Sequence, residues 1–165
     1  MPDQRRLDHV ELDHIDAAIL DLFAAEPRVG VLEASRRLGI ARGTVQSRLD
    51  KLHDRGVVVG WGPNIDPAAL GYAVTAFVTL DIAQAGHDQI ATLLAGIAEV
   101  IEVHTITGNG DLLCRVVARS NADLQRVIDG LVAVEGVGRT STVIALATQV
   151  AHRTLPLVRQ AAGTA

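Results

Sequence analysis

The chain has 165 residues, a formal net charge of -4 and 48% hydrophobic residues, which suits one large or two small packed domains and excludes a globally disordered chain. Its one cysteine, Cys114, excludes an intrachain disulfide and gives no basis for a cysteine-built metal site. No apolar run approaches the ~20 residues that span a bilayer, and the charged opening MPDQRRLDHVELDHID predicts no signal peptide, so the expected protein is soluble and cytoplasmic.

Taken in order, the first element is a helix from Leu12 to Phe23. Ile15, Ala18, Ile19, Leu22 and Phe23 recur at the spacing of one buried stripe. Asp13 can cap its start, Asp16 suits its first turn, and Pro27 stops it. A second helix spans roughly Val31–Leu38, with Gly39 placed for a left-handed turn. A third spans roughly Arg42–Arg55 on a stripe of Val45, Leu49 and Leu52, ending at Gly56. Val57–Trp61 reads as a short strand. Three helices, a tight glycine turn and a strand predict a winged helix-turn-helix over residues 1–61.

Residues 62–71, GPNIDPAALG, read as a hinge. The period then changes. Tyr72–Ile82, Val100–Thr107, Leu112–Ala118 and Arg139–Leu146 read as strands. His87–Ile97 reads as a helix, and a further helix follows Ser120 as its cap. The turn GNGD, 108–111, is a hairpin signal. The order βαββαβ over residues 72–150 predicts an α+β, ferredoxin-like domain. The tail, 151–165, carries only a weak pattern after Pro156.

Charge is uneven between these parts. Residues 28–55 hold seven basic and three acidic groups, whereas residues 61–152 hold four basic and nine acidic ones. A basic helix-turn-helix joined to an acidic partner domain points to double-stranded DNA for the former. The second helix of such a motif enters the major groove. Arg42, Gln46 and Ser47 are the candidates for base edges; Thr44, Arg48, Arg36 and Arg37 sit nearer the phosphates, and Lys51 is a further outward DNA-binding candidate. The competing reading is an ordinary solvated amphipathic helix.

In the second part no catalytic constellation stands out. His87, His104 and His152 lack metal-like spacing, and Cys114 on an apolar strand reads as core. Gly108, Asn109, Gly110 and Asp111 form either a plain hairpin turn or a ligand-approaching loop. In the latter, Asp111 would accept from an ammonium group, with Thr140 and Thr142 supplying hydroxyls. No cofactor and no enzymatic activity are expected.

In this order, LDHID (12–16), EASRRLGI (33–40), TVQSRLDKLHDRGVV (44–58), NIDPAALGY (64–72), TGNGDLLCRV (107–116) and GVGRTSTVIAL (136–146) resemble the Lrp/AsnC (feast/famine) transcriptional regulators. The resemblance covers Leu12 to about Val150. It implies the same winged helix-turn-helix and a βαββαβ regulation-of-amino-acid-metabolism (RAM) domain. It also implies homodimers paired through C-terminal sheets and assembling to tetramers or octamers, association with the nucleoid, and an amino-acid effector at an interface between dimers. The effector turn falls on Gly108–Asp111 and the hydroxyl-bearing strand on Thr140–Thr142. The sequence departs from the family at Gly30 and Ala41, where Ser or Thr usually opens a helix, and at Asn109 and Gly110, which replace an acidic and a bulkier residue. Two alternatives share the fold: an architectural DNA-wrapping protein, and a tetrapyrrole-processing decarboxylase.

Overall fold

In the computed structural model, residues 10–83 and 86–164 are described. The charged opening, residues 1–9, lies outside them. The described residues fall into two compact units. One is Asn64–Gln149; the other joins residues 10–63 to residues 150–164.

The second of these begins with α1, His14–Ala25. Asp13 caps it as expected. Its carboxylate accepts from the Ile15 and Asp16 amides at 2.9 Å each, and Asp16 accepts in return from the Asp13 amide at 3.2 Å. This reciprocal box satisfies amides that a helix start otherwise leaves unpaired. Helix α2, Val31–Leu38, ends at Gly39, whose φ of 66° makes the sharp turn to the next helix. A side chain would strain that left-handed backbone. Helix α3, Arg42–Asp54, opens at Ala41 with no side-chain cap. Ile19, Ala34, Val45 and Leu49 form the buried centre of the three helices, with Ile15, Leu22, Phe23 and Leu38 packed around it. The rings of Phe23 and Trp61 meet edge to face at 5.7 Å.

Two expectations change here. Val57–Trp61 is not a strand. The amides of Val57 and Val58 instead donate to the Leu52 carbonyl at 2.9 and 3.1 Å, closing the end of α3. Amides used as a helix cap are not available to a ladder. The tail, which carries little periodicity, forms α6, Leu155–Ala161. It packs on α1, and the Arg159 guanidinium reaches Asp21 at 3.0 Å.

The other unit contains β1 (Val74–Ile82), α4 (His87–Leu94), β2 (Val100–Thr105), β3 (Leu112–Ala118), α5 (Asn121–Val132) and β4 (Val137–Ala145). The strand order is β2-β3-β1-β4, antiparallel throughout. Ser120 caps α5 through the Asp123 amide at 3.1 Å. Ala76, Val78 and Leu80 of β1 alternate inward with Leu112, Cys114 and Val116 of β3. They meet Ile90 and Leu94 of α4 and Leu124, Val127 and Leu131 of α5. Both helices therefore cover one face of the sheet, as the βαββαβ order requires. Burial pushes the Cys114 thiol up to about 11, so it is a core group.

Neither α4 nor α5 covers the opposite face. Side chains of directly opposed residues share a face. Phe77 opposes Val143 on one side and Arg115 on the other. Phe77 is 39% and Val143 65% exposed, and Arg115 pairs with Glu102 at 3.1 Å. The α+β class, the helix-turn-helix and the four-stranded sheet thus follow the sequence reading.

Candidate functional site

Two places collect the candidate residues, one in each unit. In the first, burial of Val45, Leu49 and Leu52 on α3 turns the other side of that helix to solvent. Arg42, Thr44, Gln46, Ser47 and Lys51 are all exposed there. Gln46 donates its side-chain amide to Asp50 Oδ1 at 2.8 Å, which leaves its carbonyl oxygen outward as an acceptor. A polar cavity of about 610 Å³ runs between this surface and the start of α1, lined by Asp13, Asp16, Thr44, Ser47, Arg48 and Lys51.

The remaining cations are arranged differently. On α2, Arg37 donates to Glu33 at 3.0 Å and also pairs with Glu26. Both bonds hold its already high pKa further up. Arg36 lies 3.9 Å from Glu33 and is exposed. Arg48 is drawn sideways. Its Nη1 donates to both oxygens of Asp13 and to Asp16 Oδ1, each at 2.7 Å. That bond from Arg48 is the main reason the Asp13 carboxyl falls to about 2. The structure thus gathers Arg42, Thr44, Gln46, Ser47 and Lys51 on one open surface, while Arg37 and Arg48 are engaged by carboxylates.

The second place lies at one end of the sheet. A cavity of about 670 Å³ is lined by Thr79, Asp81, Gly108, Asn109, Gly110, Arg139, Thr140 and Ser141. The Gly-Asn-Gly turn lies against β1. A Cβ on Gly110 would stand 2.2 Å from Thr79 Cγ2, and the residue's φ is 99°. The close approach and the backbone both require glycine.

Four of the six effector candidates in this turn and strand, Gly108, Asn109, Gly110 and Thr140, line the cavity, and two do not. Asp111 is half-exposed but engaged with β1. Its Oδ2 accepts from the Ile82 amide at 2.7 Å, and its own amide donates to the Leu80 carbonyl at 2.9 Å. It thereby fills the irregularity in β1 between Leu80 and Ile82. Thr142 opposes Val78 and Thr140 opposes Leu80, both core residues, so both threonines share the helix-covered face, and of the two only Thr140 borders the cavity. Strand parity brings Ser141 and Arg139 to the turn instead, beside Thr79 and Asp81. These four are residues that sequence reasoning missed. The alternation of β4 was the available signal, once Val78 and Leu80 had been assigned to the core.

The cavity is therefore lined by a carboxylate, a guanidinium, three hydroxyl-bearing residues and a glycine-rich backbone within one concave end. Among the described residues no group of three or more His, Cys, Asp or Glu side chains could hold a metal ion, and no helix is long and apolar enough to cross a membrane.

A family model for the AsnC-type helix-turn-helix domain matches residues 12–53, and one for the Lrp/AsnC ligand binding domain matches residues 75–155. The HTH-type transcriptional regulator FL11 of Pyrococcus horikoshii is 30% identical over 148 residues, 90% of this chain and 98% of that protein. Among solved structures, AsnC of E. coli superposes with a TM-score of 0.79 at 25% identity, covering 88% of this chain and 99% of that one. A feast or famine regulatory protein from M. tuberculosis, complexed with L-methionine, superposes with a TM-score of 0.76 at 30% identity, covering 86% and 97%. Both units of the fold, in order and nearly end to end, are thus accounted for by one group of proteins: the chain belongs to the Lrp/AsnC family of transcriptional regulators.

Proposed function

We propose that this regulator reads double-stranded DNA with the exposed side of α3 and responds to an amino acid bound at the turn-and-sheet cavity. The DNA half of this reading rests above all on one observation. Arg42, Thr44, Gln46, Ser47 and Lys51 stand together and exposed after the Gly39 turn. Arg42 suits guanine, the Gln46 carbonyl suits a base amino group, and Lys51 suits a phosphate. The working division of the chain is a reading unit to residue 61, a hinge at 62–71 and an effector and assembly domain at 72–150.

The effector half rests on the opposed charges of Asp81 and Arg139 around the turn. A zwitterion offers an ammonium group to the former and a carboxylate to the latter. The relative with bound L-methionine supports that ligand class. The bare sheet face supports assembly. Phe77 and Val143 leave an apolar strip in water that a second copy of the same sheet would cover.

Thermal unfolding in the presence of each of the common amino acids tests the effector half. A true ligand at a hundred times its dissociation constant stabilises by about 2.7 kcal/mol, and Asp81→Asn or Arg139→Met removes that shift. No stabilisation by any amino acid would exclude the ligand class. Binding to an enriched duplex and to random duplex at one salt concentration tests the DNA half. A ratio near one would favour an architectural, DNA-wrapping role.

A further inference from the structure

We infer that Arg48 is a positioning residue for the reading surface and not a phosphate contact, with Asp13 and Asp16 as its anchors. The inference rests on the DNA-reading role of α3 proposed above. Helix α3 sits on its neighbours through Val45, Leu49 and Leu52. Such apolar contact is non-directional and by itself leaves some freedom to turn about the helix axis. The start of α3 adds no side-chain restraint, because Ala41 gives no side-chain cap and Gly43 follows it.

Arg48 supplies the missing direction. Its Nη1 meets three carboxylate oxygens at 2.7 Å, and those oxygens are themselves held. Asp13 is the cap of α1, and Asp16 is bonded back to the Asp13 amide. One carboxylate therefore both starts α1 and orients α3. Asp16 is 13% and Arg48 27% exposed at the side chain, whereas Asp13 is 47% exposed, so salt screens the Arg48–Asp16 bond less than the Arg48–Asp13 pair.

Electrostatics alone would not place these residues here. Two carboxylates against one guanidinium leave a net negative charge lining the same cavity as Thr44, Ser47 and Lys51. A polyanion is repelled by that charge. Its presence beside the reading surface makes sense if the orientation it fixes outweighs the repulsion.

The test uses the full chain with Asp13→Ser, Arg48→Met and Lys51→Ala. Serine keeps the cap of α1 but removes two of the three carboxylate oxygens that hold Arg48, leaving Asp16 as its one anchor, and thermal unfolding checks that each variant folds. The probes are a duplex enriched from a random pool by the unaltered protein and a random duplex of equal length. Positioning predicts that Asp13→Ser and Arg48→Met each weaken binding to the enriched duplex at least tenfold. They leave binding to the random duplex within about twofold and the salt slope unchanged. Combining the two costs no more than the worse alone, because both break one interaction. Lys51→Ala lowers the slope by about one. The inference is overturned if Asp13→Ser tightens or leaves unchanged the binding to the enriched duplex, as removal of a negative charge alone would do. A slope for Arg48→Met that falls as it does for Lys51→Ala overturns it too. A different failure, in which the unaltered protein enriches no duplex and binds none at low salt, removes the DNA-reading role itself.

Discussion

A methyl group on Gly110 would sit 2.2 Å from Thr79 Cγ2, on a backbone already at φ 99°. Gly110→Ala should therefore destabilise the chain by about 1–3 kcal/mol from the backbone conformation alone. It should also lift the turn off β1 and abolish any amino-acid stabilisation; thermal unfolding with and without ligand reads both. Asp13 carries a pH signature. Its carboxyl is held at about 2 in the fold, against an ordinary 3.8, chiefly by the hydrogen bond from Arg48. A depressed carboxyl stabilises the fold above its unfolded pKa, and that contribution fades as pH falls through the folded one. The melting temperature of the unaltered protein should thus exceed that of Asp13→Ser at pH 5, and the gap should close between about pH 4 and pH 2. What was legible at this scale was residue type more than direction. Asp13 and Ser120 read as caps because a cap needs one side chain at one position. Thr142 read as a ligand group because its hydroxyl is visible in the sequence, while the face it occupies is set by Val78 on another strand. Arg48 read as a phosphate contact because its anchors lie 35 and 32 residues away.

At the scale of elements, α3 starts at Ala41 without a side-chain cap and carries Gly43 in its first turn. No atom stands within 4 Å of a Cβ placed on Gly43, so Gly43→Ala meets no obstacle. That change should stabilise the folded chain by about 1 kcal/mol. Ala41→Ser should add a similar amount through the lost cap, measured by denaturant unfolding of the free protein. If DNA normally orders this turn, the double variant should also bind the random duplex with a smaller unfavourable entropy, readable by calorimetry. Helices α1, α2 and α3 were legible because each combines an apolar stripe with a stop residue, and β3 because four alternating core positions fix it. Val57–Trp61 misled because its valines favour strands, while a strand also needs a partner. Here the Val57 and Val58 amides go to the Leu52 carbonyl at the end of α3. Helix α6 was faint because seven residues span too few turns to repeat a stripe.

For the whole molecule, the bare face of the sheet and the uneven charge set the expectations. Phe77→Asp combined with Val143→Asp puts charge on the uncovered face without touching the core. It should give a monomer of unchanged secondary structure, checked by sedimentation and circular dichroism; an unaltered assembly would place the contact elsewhere. The change of period at residues 62–71 predicts two parts, but nothing in the sequence assigns the tail to the first, since that depends on Arg159 finding Asp21. That contact makes the reading unit discontinuous: the chain leaves it near Pro63 and returns at Val150. A fragment ended at Pro63 would lack α6 and the cation that meets Asp21. Exchange of reading units between relatives therefore needs two crossovers rather than one. Hybrids joined only at the hinge would carry a mismatched pair of α1 and α6, inherited from different parents.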